Sequence, residues 1–134
     1  MADITITPSN VFKGPSAVSH VATADGAITA GMPVGRTNLG KFGRILANVA
    51  VNGCNGIALC DCADGQVFIY VESDTALDLG LTSADRGKNI FISENGLTFN
   101  IEDVAVSGNQ IMTIGNVNTD GTVTLNILNG TTLP

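Results

Sequence analysis

The sequence predicts an all-β fold, a small antiparallel β-sandwich or barrel, with a jelly roll as one form of it. Three observations predict this. Short runs of alternating apolar and polar residues recur about every 8–12 residues, with turn residues between them. Glycine is abundant at 16 residues while only 13% of residues are charged, a mix that disfavours long surface helices. No strand–helix–strand alternation is visible, which argues against a parallel nucleotide-binding sheet.

The elements follow in order. "DITIT" alternates strictly from Asp3 to Thr7, and Pro8 and Pro15 bracket "SNVFKG". Residues 1–16 are read as an extended N-terminal arm or edge strand, and residues 17–134 as a single β domain. Ile4, Ile6, Val11 and Phe12 are the apolar residues with which such an arm adds a strand to another chain's sheet. A first strand of the domain's own sheet is an equally good reading of the segment. "SAVSHVAT" is the next strand and ends near Asp25-Gly26, and "AITAGMPV" is a strand broken at Gly31. "FGRILANVAV" suits a strand or a short helix. "NGIALC" and "QVFIYVE" are strands on either side of the loop "DCADG". "NIFIS" and "LTFNI" flank Asn95-Gly96, the strongest hairpin signal in the chain, and "QIMTIGNV" and "TVTLNIL" flank Asp120-Gly121, a second one. The one helical turn is expected in "TSADRGK", capped by Thr82 or Ser83. The tail "NGTTLP" is read as a frayed end.

The chain's 134 residues fit one domain with a real core. With 44% hydrophobic residues, 4% aromatic and no Trp, that core is built from Val, Ile, Leu and Ala. The net charge of −6, with six basic residues spread along the chain, makes no basic stripe. Direct nucleic-acid binding and anionic membrane surfaces are therefore disfavoured. No apolar run reaches the length of a membrane span, and the N-terminus lacks the pattern of a secretion signal. Three cysteines, an odd number, fit a protein made in a reducing cytoplasm.

Few residues suggest chemistry. Cys60-Asp61-Cys62 places two thiols on one side of an extended chain. With Cys54 and His20 it is formally a four-ligand set, but C-x₅-C-x-C is not the paired knuckle of a structural zinc site, nor a redox C-x-x-C. These cysteines are read as small apolar residues at a strand end, and no metal or cofactor is expected. Asp61, Asp64, Glu72, Asp74 and Asp78 fall within one stretch without reproducing a calcium loop. Turn aspartates usually accept hydrogen bonds from their own backbone. His20 is the only histidine, and no nucleophile elbow accompanies it, so no catalytic residue is assigned. "GMPVGRTNLGKFG" carries no phosphate-loop pattern. It holds Arg36, Lys41 and Arg44, half of the positive charge of the chain. Those three are read as solvated loop cations or, more sharply, as contacts to an acidic partner.

Two segments carry a family likeness. "ADGAITAGMPVGR" ends in an A-G-x-P-V step, and "NGIALCDCADGQVFIYVES" has the form G-I-A-L-x-x-x-A-x-G-x-V-x-x-x-V. In this order, followed by "DLGLTSADRGKNIFISENGLTF" and "IMTIGNVNTDGTVTLNI", they resemble the capsid decoration (cement) proteins of tailed bacteriophages, over residues 20–128. Such chains usually have Ala or another small residue where Cys60 and Cys62 stand, so the resemblance gives no reason for a metal there. It implies a non-enzymatic protein that binds the outside of an expanded capsid shell. The implied partners are the major capsid protein and further copies of the chain, as a homodimer or homotrimer. The implied location is the virion exterior, after synthesis in the bacterial host cytoplasm. Other expectations are a tail-tube or fibre-base subunit and a carbohydrate-binding module. The last is weakened by the lack of aromatics on which sugars stack.

Overall fold

A computed structural model describes residues 6–37, 40–44, 54–93, 99–102, 110–126 and 131–132. The described strands are β1 (Val18–Asp25), β2 (Pro33–Arg36), β3 (Phe42–Arg44), β4 (Gly56–Ala58), β5 (Val67–Leu77), β6 (Asn89–Ser93), β7 (Phe99–Glu102), β8 (Gln110–Val117), β9 (Val123–Asn126) and β10 (Thr131–Thr132). Among the described residues the only helical pieces are three-residue 3₁₀ turns at Pro8–Asn10 and Ser83–Asp85. The chain is all-β, as its sequence predicts.

All the strands join one mixed sheet, and part of it closes on itself. The order β1-β3-β2-β4-β5 returns to its start because β5 also pairs with β1, which makes a five-stranded barrel. From β5 the sheet continues through β9, β8, β6 and β7, and β10 pairs with β8. Strand β5 belongs to both parts because it is 11 residues long. Its first half pairs with β1 and β4, and its second half pairs with β9. The expected antiparallel sheet needs a correction at one place. Strands β1 and β3 run parallel, with Ala24 opposite Phe42 and Asp25 opposite Gly43. This parallel pair closes the barrel.

Two cores follow from the alternation of side chains across strands. In β4 the consecutive residues Ile57 and Ala58 are both fully buried, on opposite faces. Ile57 joins the main core with Val11, Ala30, Val71, Leu77, Ile90, Ile92, Val117, Val123 and Leu125. Ala58 joins the barrel interior with Ala22, Ala24, Ile28, Met32, Val34, Phe68 and Tyr70. Alanines line its walls, and β5 fills it with two aromatics. Phe42 stacks on Tyr70 with ring centroids 5.0 Å apart.

Residues 6–16, the described part of the N-terminal segment, do not stand away from the domain. Phe12 exchanges two backbone hydrogen bonds with Asp78, at 3.0 and 2.8 Å, so this stretch runs along the edge of β5. Gly14 N–H donates to the Asp74 carboxylate at 2.6 Å. Ile6 and Val11 lie over Gly31, whose φ of +88° marks the break expected in "AITAGMPV". A side chain at Gly31 would strike Ile6, so the turn needs glycine for both conformation and space.

Other expectations fare unevenly. The Asp120-Gly121 turn is present: Asn118 N–H donates to Thr122 O at 2.7 Å, and Gly121 adopts φ +90°. It packs on the backbone of Thr82, whose hydroxyl caps the Ser83–Asp85 turn by accepting from Ala84 N–H at 3.4 Å. Asn95-Gly96 lies outside the described residues, though the strands flanking it pair, with Ile92 opposite Phe99. Of "FGRILANVAV", Phe42–Arg44 is strand and the rest lies outside the described residues. The tail is not wholly frayed, since Thr131 and Thr132 pair with Thr113 and Met112.

Candidate functional site

The loop "DCADG" is held by backbone pairing and by its own aspartates. Ile28 and Cys62 exchange backbone hydrogen bonds at 2.8 and 2.9 Å. Asp61 accepts from Ala30 N–H at 2.8 Å, and Asp64 accepts from Gly26 N–H at 2.9 Å. Cys60 and Cys62 are half-buried against the barrel core, and neither forms a disulfide. Cys54 packs against the main core instead. Burial of its thiol pushes its pKa up to about 12, against weaker opposing backbone hydrogen bonds, so it is a neutral thiol at physiological pH. Cys54 and His20 therefore do not join the other two cysteines as one ligand set. Among the described residues no group of three or more His, Cys, Asp or Glu converges.

His20 pairs with Glu72 across β1 and β5 at 3.0 Å and lies beside the Tyr70 ring. This exposed pair contributes little to stability. Burial, and then the Glu72 charge, push the Tyr70 hydroxyl above its ordinary pKa, so it stays protonated at neutral pH. Asp78 accepts from Gly80 N–H at 2.8 Å, and buried Asp74 accepts from Gly14 and Ala76. Of the carboxylates singled out by the sequence, Asp61, Asp64, Asp74 and Asp78 thus accept backbone hydrogen bonds at turns and register changes, while Glu72 pairs with His20.

The structure separates the residues expected to bind a partner. Ile4 lies outside the described residues. Val11 is 7% exposed in the main core, so it is not free to meet another chain. Ile6 is partly buried against that core, while Phe12 is 60% exposed. Strand alternation explains the split, because neighbours in an extended segment point to opposite sides. Arg36, Lys41 and Arg44 do come together on the β2–β3 hairpin, with Arg36 opposite Phe42 and Arg44 opposite Val34. Arg36 and Arg44 are exposed, and Lys41 is half-buried.

A surface that these expectations missed lies on the outer wall of the barrel. Val21 is opposite Ile69, and Thr23 is opposite Val67. Val21, Val67 and Ile69 are 68%, 64% and 43% exposed. The next pair along, Ser19 and Val71, has Val71 fully buried in the main core. One face of the β1–β5 pair therefore begins in the core and continues into solvent, and these six residues carry no charge. The signal was present in "VFIYV", apolar at every position, which is the pattern of a strand covered on both faces. Here the second cover is missing over Val67 and Ile69.

No family model, curated protein or solved structure matches the chain.

The β8–β9 turn carries a local, pH-dependent contribution. The Thr122 hydroxyl and N–H donate to Asp120 at 2.6 and 3.0 Å, and these bonds hold the Asp120 carboxyl below its ordinary value of 3.8. The unfolded chain binds the proton more readily, so the stabilisation is present above pH 3.8 and is lost as pH falls through the lower folded value. Acid titration followed by amide exchange at Thr122 should show the turn loosening in that window. Asp120→Asn should remove this component, and an unchanged acid profile in that variant would exclude it.

Proposed function

We propose that this chain is a non-enzymatic structural protein of a phage virion, one that binds the outer surface of the capsid shell and stabilises it. The observation that carries the reading is the joining of the two resembling segments into one body with an uncovered wall. Ala24–Arg36 and Asn55–Ser73 pair with each other at Ile28–Cys62, Pro33–Ile57 and Val34–Gly56. Together they supply β2, β4, much of β5 and the end of β1. The wall they support displays Val21, Val67 and Ile69 without a charge among them.

An uncharged apolar wall on an acidic chain suits a shell subunit as its partner. The net charge of −6 keeps free copies apart, while an uncharged patch meets another surface without like-charge repulsion. A patch of a few side chains is too small for tight one-to-one binding. Repetition over a shell compensates when linked copies engage several sites at once.

The first test is the copy number of the chain in purified virions against the major shell protein. A simple ratio to the shell subunit is expected. A handful of copies would move the chain to the tail or a fibre, and absence would end the structural reading. The second test is the double variant Val21→Lys, Ile69→Lys. Both positions are exposed, so folding should be retained. Its affinity for shells lacking the protein should fall by about tenfold or more, the effect of roughly 1.4 kcal/mol. Unchanged binding would exclude this wall as the contact.

A further inference from the structure

We infer that residues 6–14 are exchanged between two copies of this chain, each copy laying the segment along the other's β5. The segment meets its own domain through a short set of contacts. Phe12 exchanges backbone hydrogen bonds with Asp78, Gly14 N–H donates to Asp74, and Ile6 and Val11 lie over Gly31. All of these contacts fall outside the stretch that joins the segment to β1. The same segment of a second copy therefore makes each of them equally well, which is the condition for strand exchange. The docking site also selects its occupant. A Cβ at Gly14 would come within 2.6 Å of Asp74 Oδ1 and 2.9 Å of Ala76 O, so the docked strand needs glycine at that point. A second copy of the chain brings that glycine, in register with Val11 and Phe12.

The connection to β1 opens at little cost. Gly14 to Ala17 form a turn over Pro15 and Ser16, closed by a hydrogen bond from Ala17 N–H to Gly14 O at 3.3 Å, longer than most. Proline biases the residue before it toward extended backbone, which favours the open form of this turn. Exchange gives up the turn and keeps the docking contacts. The detached form on the way is accessible, because Asp74 is 3% exposed when the segment is docked and regains water when Gly14 leaves. Opened out, Gly14 to Ala17 span about 10 Å, so two barrels meet beside the hinge, about a two-fold axis. Phe12 and Val18 flank the hinge and are 60% and 46% exposed. Among the described residues they are the exposed large hydrophobics outside the β1–β5 wall, and the meeting of two copies here covers them. The net charge of −6 on each copy is screened beyond about 8 Å at physiological salt. Exchange supplies the linked copies that binding to a shell calls for, and that use of it rests on the proposed function; the exchange itself belongs to the free chain and is tested without shells.

The experiment refolds two full-length chains together from urea at high concentration, one carrying Phe12→Cys and the other Asp78→Cys. Both also carry Cys54→Ala, Cys60→Ala and Cys62→Ala, and circular dichroism confirms that they fold. Opposed residues that exchange backbone hydrogen bonds have Cα atoms about 5.5 Å apart, within the range of a disulfide. Mild oxidation should therefore give a covalent heterodimer of doubled mass on a non-reducing gel. Phe12→Cys mixed with Ile69→Cys should give none, because Ile69 lies on the barrel wall and not beside the docked segment. Closure of the pair within a single chain, with no heterodimer from the mixed chains, would overturn the exchange. Equal cross-linking to Ile69→Cys would overturn it too, since collision would then account for the product. The chain without added cysteines should sediment as a dimer after the same refolding, and a monomer at every concentration would exclude the exchange independently of the disulfide.

Discussion

Phe68→Ala is expected to lower the stability of the chain by about 3–5 kcal/mol, the range for emptying a buried aromatic site. Phe68 is 1% exposed and sits inside the barrel. Its neighbours there include Ala22, Ala24 and Ala58, whose side chains have nothing to extend into the space left behind. The cavity therefore stays open, and the cost lies above simple transfer of the ring to water. Domains of this kind have about 5–15 kcal/mol in total, so the loss is a large share of the stability. Urea denaturation measures the loss directly. Phe68→Leu, which refills part of the volume, should lose clearly less. A loss below about 1 kcal/mol for Phe68→Ala would mean that the five strands do not close around this ring.

The second large effect is at Asp74. This carboxylate is 3% exposed and accepts from Gly14 N–H at 2.6 Å and Ala76 N–H at 3.0 Å. It sits where β5 changes register between Asp74 and Leu77, so ladder pairing is interrupted there. Asp74→Ala leaves both donors without this acceptor, and an unsatisfied buried donor costs about 1–3 kcal/mol. The expected loss is about 2–4 kcal/mol. The N-terminal segment should also detach first, because its other ties among the described residues include only one strand-like bridge, Phe12–Asp78, and the packing of Ile6 and Val11. Limited proteolysis should then cut near Pro15 in the variant and not in the parent. Asp74→Asn keeps one oxygen acceptor and should recover part of the stability. If Asp74→Ala denatured like the parent and resisted the protease equally, the carboxylate would not be the clasp described.

Much of the local structure was legible in the sequence because its signals act over short range. Turn glycines at Gly31 and Gly121, the alternation in "SAVSHVAT", and the cap at Thr82 each act within a few residues. The parallel contact between β1 and β3 was not legible, since no local pattern states which distant strand lies alongside. The same limit explains the N-terminal segment. The prolines and apolar residues around Phe12 do not state which edge it pairs with, because that edge lies sixty residues or more away, at Asp74 and Asp78. Val11 and Phe12 had equal standing as neighbouring apolar residues, and only the docking of that segment sent one inward and left the other in solvent.

The candidate surface shows the same division. "VFIYV" states that both faces of β5 are apolar, a property of composition and alternation alone. That Phe68 and Tyr70 fill a barrel, that Val71 enters a second core, and that Val67 and Ile69 are left uncovered depends on which strands pack over each face. By itself the sequence determined an acidic, aromatic-poor, all-β chain, its turn positions and the sidedness of its strands, because these follow from backbone conformation and side-chain alternation. Only the tertiary structure decided the closure of the barrel, the docking of the N-terminal segment and the exposed wall, because burial is a property of long-range packing.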